Sequence, residues 1–318
     1  MSLNKYMRAI GFNRTESIEE SRRITAETVR HNNVSNVFKL PGGEVFAEFV
    51  RYYAPGIGVS VCGYYEGPDN FCPEYCLPFV KTQMGGSREP VRFTEHSWRR
   101  SFAGTCDESS FGTVCIFHLI NISDYMKASQ AAALKGIPFV KTETVHFSGL
   151  SLSGKVLLPV YMSETERDAY EDEVMAHQLS VLAARKGRDE EIESLNLKEM
   201  EYLEKTRKAI KKRDVYSIAV NCLAPAGVEC DQYKMIADIV YAEKLKNQLS
   251  GEEFWKLSLE CCGVAFSVCI NCKDLLGEPK AGTRFSGTIW MQADVVFPGV
   301  NEELGAGASG RFSDDMGN

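Results

Sequence analysis

Between residues 36 and 161 the apolar side chains fall in short alternating runs. EVFAEFVRYYA, GIGVSVCGYYE and TVCIFHLINI repeat at the period of a strand with one buried face. FVKTETVHFSG and KVLLPVYM read as two further strands, joined by the Leu150-Ser151-Leu152-Ser153-Gly154 link as a hairpin. One helix, SDYMKASQAAALKG, is predicted between strands. Ser123 caps its start, and Gly136 with Pro138 ends it.

The pattern then changes. Residues 163–213 lose nearly all Gly and all Pro and fill with Glu, Lys, Arg, Leu and Ala. Two helices broken near Gly187 fit this stretch. Ile192, Leu195, Met200, Leu203 and Ile210 form one stripe of the second. The first is apolar on two sides, with Tyr170, Val174 and Val181 on one and Met175, Leu179 and Leu182 on the other. From 214 to 298 the pattern is mixed, with helices predicted over 232–248 and 251–261 and strands over 264–270 and 285–296. The stretch after Pro298 is rich in Gly and Asp and is expected to be disordered.

The fold class that follows is α+β. A mostly antiparallel N-terminal domain spans 1–161, a charged helical hairpin 162–213, a smaller mixed domain 214–298 and a tail 299–318. Ser17/Glu20, Ser163/Glu166 and Ser250/Glu253 each have the Ser-x-x-Glu spacing of a capping box. This accounts for acid pairs such as Glu252–Glu253 without invoking catalysis.

Charge narrows the functional classes. The 318 residues carry a net charge of −7, which disfavours nucleic acid as a partner. No apolar run approaches the roughly 20 residues needed to span a bilayer, so no membrane role is expected. The N-terminus lacks the pattern of a signal peptide, and eleven cysteines then suit reduced thiols in a cytoplasm.

Candidate chemistry is sparse. Cys269-Ile270-Asn271-Cys272 has metal-knuckle spacing, but Phe266, Val268 and Ile270 alternate as a strand face. The two sulfurs therefore point apart, and no metal is expected. Adjacent Cys261 and Cys262 are placed at the end of a helix. His96, Cys106 and Asp107 have the residue types of a thiol nucleophile at unconstrained spacing. Arg92 to Arg100 interleaves basic and aromatic residues, but in one patch of an acidic chain. His118 falls on an apolar face as a core histidine, and His146 is expected to face out. No cofactor motif is present, so none is expected.

The loop Leu276 to Arg284 carries two glycines, a proline, Lys280 and Arg284. It offers two readings. In one, Lys280, Arg284 and an outward Trp290, with Glu229 and Asp231, line a ligand site between domains. In the other, Arg284 ties the loop to a buried carboxylate. Asp231 also suits the N-cap of the helix expected after it.

KYMRAIGF, SFAGTCDES, HFSGLSLSGKVLLPV, ECDQYKMIADIV, VCINCKDLLGEP and GTRFSGTIWMQ together resemble a bacterial family, domain of unknown function 3881. The resemblance extends to about Pro298. Ala293, where Gly is expected, and Cys272, where a basic residue is expected, depart from it. It implies no activity and supplies no catalytic residue. The expected role is therefore binding or scaffolding toward a protein or small-molecule partner. The alternative is a small-molecule binder or enzyme that uses the site between domains.

Overall fold

A computed structural model describes residues 4–13, 17–40, 42–82, 84–95, 101–111, 114–137, 140–159, 221–227 and 230–298, with positions 172 and 176. Apart from positions 172 and 176, the helical hairpin predicted over 162–213 lies outside the described residues, as do the tail over 299–318, Glu229 and His96.

The described chain is mostly β. Strands β1 (Val34–Lys39), β2 (Val45–Ala54), β3 (Ile57–Tyr65) and β4 (Phe71–Val80) form a four-stranded antiparallel meander in chain order. Helix α1 (Ile18–Arg30) starts at Ser17, whose Oγ accepts from the Glu20 amide at 3.3 Å, as the capping pattern predicts. It packs on β2 and β3. Ile24 enters the same core as Ile57 and Val59, and Thr28 Oγ1 meets the Tyr53 hydroxyl at 2.8 Å.

The second assembly contains a closed five-stranded barrel. Its strands are β8 (Thr144–Leu157), β10 (Gln232–Lys246), β11 (Glu253–Cys261), β12 (Val264–Asn271) and β14 (Arg284–Val296). The pairings run β14–β10–β11–β12–β8 and back to β14. All are antiparallel except β12–β8. Strand β7 (Cys115–Leu119) continues the sheet beside β14, followed by β6 (Phe102–Cys106) and β5 (Val91–Glu95). Two short strands complete it. β9 (Cys222–Pro225) lies on β10 and β13 (Leu275–Leu276) on β8. Strands from both sides of residues 160–220 therefore share one sheet.

Every second residue of the barrel strands fills its interior. Tyr233, Met235, Ala237 and Ile239 meet Leu257, Leu259, Phe266, Val268, Phe285 and Ile289 in one buried cluster. An apolar interior of this kind holds side chains and not a ligand. The outer face carries a second core. There Leu150, Cys269 and Trp290 meet Tyr6, Met7 and Ile10 of a 3-10 turn and Val59 and Val61 of the meander. Cys269 thus lies in a different core from its neighbours Val268 and Ile270, the opposite-face geometry read from the sequence.

Three expectations are corrected. The predicted helices over 232–248 and 251–261 are strands β10 and β11. Their buried residues alternate at period two, and each strand pairs on both edges, which outweighs helix propensity. Ser250 therefore caps no helix. Its hydroxyl donates to the Gly11 carbonyl at 2.6 Å and accepts from the Glu252 amide at 3.2 Å in the β10–β11 turn. Nor is there a hairpin at residues 150–154. β8 runs straight through, because Gly154 leaves room for the Phe285 ring, which a Cβ would meet at 2.5 Å.

Helix α2 (Ile122–Leu134) is present where expected, and Gly136 ends it at φ +65°. Its start differs. Asn121 is the N-cap residue, and Ser123 turns inward.

Candidate functional site

Strand β14 organises the polar interior. Its odd positions, Phe285, Ile289, Met291, Ala293 and Val295, fill the barrel. Its even positions point outward, and four of them meet polar partners supplied by other parts of the chain.

Arg284 is buried, only 4% exposed. Its Nε donates to the Leu158 carbonyl at 3.0 Å. Burial lowers the guanidinium pKa, and Asp238, its cross-strand partner on β10, opposes that shift. Asp238 in turn accepts from Asn221 Nδ2 at 2.9 Å. The two strands thus hold both Leu158, where the described chain leaves toward residue 160, and Asn221, where it resumes.

Trp290 is 6% exposed. Its Nε1 donates to Asp231 Oδ2 at 2.5 Å. The Tyr6 ring stacks on it at 5.0 Å, and His118 lies 5.2 Å away. Burial, with Asp231 and Cys230 nearby, pushes the Tyr6 hydroxyl up to about 12. The structure therefore brings Asp231 to Trp290. No helix follows Asp231, however; strand β10 does, so Asp231 is not an N-cap.

Arg284 and Trp290 share a face six positions apart, roughly 20 Å along a strand, and do not meet. Lys280 is exposed in its loop and pairs with exposed Glu278 at 3.3 Å. Gly277 and Gly282 have the positive φ expected of them, +92° and +84°.

Farther along β14, Gln292 is fully buried. It donates to the Pro78 carbonyl at 2.8 Å and accepts from the Val80 amide at 3.3 Å, closing the edge of β4. Asp294 lies 3.7 Å from Lys81. Burial pushes the Asp294 carboxyl up against the pull of Lys81. At Lys81, burial acts downward, but Asp294 and other nearby groups outweigh it, and the ammonium pKa rises. His146, opposite Asp294 on β8, is half-buried rather than outward, and its Nδ1 donates to the Met84 carbonyl at 2.7 Å.

The residue that sequence reasoning missed is Glu48. It is 3% exposed, between Ser60 Oγ at 2.8 Å and Ser123 Oγ, both donating to its carboxylate. Burial raises its pKa and the two hydroxyls pull it back. A signal was available, since Glu48 interrupts the apolar face of EVFAEFVRYYA. The buried Ser123 hydroxyl is used here rather than as a cap.

The thiol site is not supported. Cys106 is fully buried beside Ser87, and burial pushes its thiol up to about 11, so it is a poor nucleophile. Among the described residues no group of three or more His, Cys, Asp or Glu is arranged to hold a metal ion. Nor is any helix there long and apolar enough to cross a membrane.

Two open clefts stand out among the described residues. One of about 450 Å³ lies between Gly85–Glu89, Glu108, Ser110 and Gly263–Ala265. The other, of about 340 Å³, is lined by Lys246, Glu252, Glu253, Cys272 and Lys273. Neither reaches Arg284 or Trp290.

No curated protein and no solved structure matches the chain. A family model does match, over residues 7–293, and the motifs quoted above from Met7 to Gln292 fall inside that span. The chain therefore belongs to the bacterial family described as "Domain of unknown function, E. rectale Gene description (DUF3881)".

Proposed function

We propose that the chain is a binding or scaffold protein toward a protein partner, with the barrel as a rigid platform. The observation that carries this reading is the cross-strand register of Arg284 with Asp238. It holds the Leu158 carbonyl and the Asn221 side chain at one end of the barrel. The platform thereby holds Leu158 and Asn221, which flank residues 160–220 in the sequence, the stretch richest in Glu, Lys and Arg.

The surface around these ends supports the reading. Leu158 and Leu276 are 81% and 73% exposed, and Val240 and Tyr241 are 51% and 59% exposed beside the bulge of β10. Exposed apolar side chains with charged chain nearby suit a protein partner better than a small ligand. The filled barrel and the buried positions of Arg284 and Trp290 give the small-molecule alternative less support.

The test is co-purification from the native host, with mass spectrometry of proteins and small molecules. The intact chain is compared with one in which residues 160–220 are replaced by a short Gly/Ser linker. A protein that co-purifies stoichiometrically with the intact chain and is lost from the linker form, with the melting temperature kept, is the expected result. A small molecule recovered stoichiometrically from both forms, or a partner retained by the linker form, overturns the proposal.

A further inference from the structure

The hairpin between β11 and β12 turns through Cys262 and Gly263, with Cys261 paired to Val264 across it. Both turn residues have positive φ, +53° and +79°. A two-residue turn of this kind favours Asn-Gly or Asp-Gly. Cys262 is the only non-glycine residue with positive φ among the described residues. A side chain held in that region carries strain, and such strain gathers at functional positions.

Three sulfurs converge here from two parts of the sheet. Cys261 Sγ donates to the Ile236 carbonyl at 3.6 Å. Cys222, the first residue of β9, is the register partner of Ile236 and makes a hydrogen bond to its backbone. Cys262 Sγ lies 4.0 Å from the carbonyl of Asn221, next to Cys222. Cys261 is fully buried, whereas Cys222 and Cys262 are half-exposed.

We infer that Cys262 is a thiol-modification site that exchanges with small disulfides, and that Cys222 is its resolving thiol. In the first step the Cys262 thiolate attacks one sulfur of a small disulfide, forms a mixed disulfide and releases one small thiolate. The Cys222 thiolate then attacks Cys262 Sγ and expels the second small thiolate. The small disulfide is reduced by two electrons and the two cysteines are oxidised by two. The thiol protons of Cys262 and Cys222 pass to the two departing thiolates.

Cys222, and not Cys261, resolves the intermediate for a geometric reason. Adjacent Cα atoms are about 3.8 Å apart, below the roughly 4.4–6.8 Å that a disulfide normally spans. Cys261 keeps its buried S–H on the Ile236 carbonyl at 3.6 Å, which leaves half-exposed Cys262 as the thiol of this turn that a small disulfide can reach. Cys72, Cys230 and Cys272 are half-exposed too, but none of them is held at positive φ.

The test uses the full chain and oxidised glutathione, with peptide mass spectrometry over time. Cys262 is expected to react at least about tenfold faster than Cys72, Cys230 or Cys272. The unmodified sequence should accumulate a Cys222–Cys262 disulfide, and Cys222→Ser should instead accumulate glutathione on Cys262. Cys262→Asn keeps a residue that tolerates positive φ, so it should melt no lower than the parent while losing the fast phase. Glutathione spread evenly over the half-exposed cysteines, or a fast phase that survives in folded Cys262→Asn, overturns the inference. A Cys261–Cys262 bond in place of the Cys222–Cys262 bond overturns the assignment of the resolving thiol.

Discussion

Arg284→Ala tests the platform at the residue that links its two ends. The side chain is 4% exposed, and its Nε holds the Leu158 carbonyl at 3.0 Å. Losing a hydrogen bond from a charged donor costs about 1.5–3 kcal/mol. Asp238 faces Arg284 across the strands and acts on it through charge rather than as a close ion pair, so the roughly 3–5 kcal/mol of a broken buried pair is an upper range. Asp238 falls short of that upper range, because it is half-exposed and keeps Asn221 Nδ2 at 2.9 Å. A total of about 3 kcal/mol follows, toward the meeting point of the two ranges. At about 2–4 °C per kcal/mol for a chain of this order of size, the melting temperature should fall by roughly 6–12 °C. Calorimetry of the reversible transition reads this directly. Arg284→Lys keeps the charge but not the planar fork, so it should fall between the two. A drop below about 2 °C for Arg284→Ala would mean that solvent already satisfies the Leu158 carbonyl, and the account of the pair would be wrong.

Glu48→Gln should flatten the dependence of stability on pH. The folded-state pKa of Glu48 lies above its ordinary 4.5, so its contribution is fully present below that value and is lost as pH rises through the folded pKa. Urea unfolding should therefore show the variant gaining on the parent from pH 4.5 upward, and a constant difference would refute the buried carboxyl as its source. Gly154→Ala forces a Cβ to within 2.5 Å of the Phe285 ring and should cost about 1–3 kcal/mol by the same assay. An unchanged midpoint would mean that β8 is not continuous at that position. Trp290→Phe keeps an aromatic ring against Tyr6 but strands the Asp231 carboxylate, and should cost about 1–3 kcal/mol. If Asp231→Asn on the Trp290→Phe background restores nothing and adds its own full loss, the two residues are not coupled.

Much of the β architecture is legible from alternation alone. β2, β3, β12 and β14 stand where period two places them, because each keeps one face in a core. β10 and β11 were not legible, for an identifiable reason. QYKMIADIVYAEKLK mixes β-branched residues with Ala, Glu and Lys, and Ser250 with Glu253 mimics a capping box. What decides the matter is a partner on each edge, and strand pairing across the chain is not written in local sequence. The same holds for β8. Ser-Leu-Ser-Gly looks like a turn until Phe285, 131 positions after Gly154, is known to lie across the glycine.

The site follows the same division between local and distant information. The faces of β14 could be assigned from the sequence, and Trp290, Gln292 and Asp294 do share one. What that face meets could not be assigned. An outward-pointing residue on a barrel strand is exposed only if nothing covers the barrel there. The 3-10 turn lies on Trp290, and β4 lies on Gln292. Arg284 shows how near a local argument can come. The buried tie was one of its two readings, and the partner expected was a carboxylate. The structure supplies a carbonyl from before residue 160 and places the carboxylate on the neighbouring strand. That arrangement places Arg284 between Leu158 and, through Asp238, Asn221, which flank residues 160–220 in the sequence.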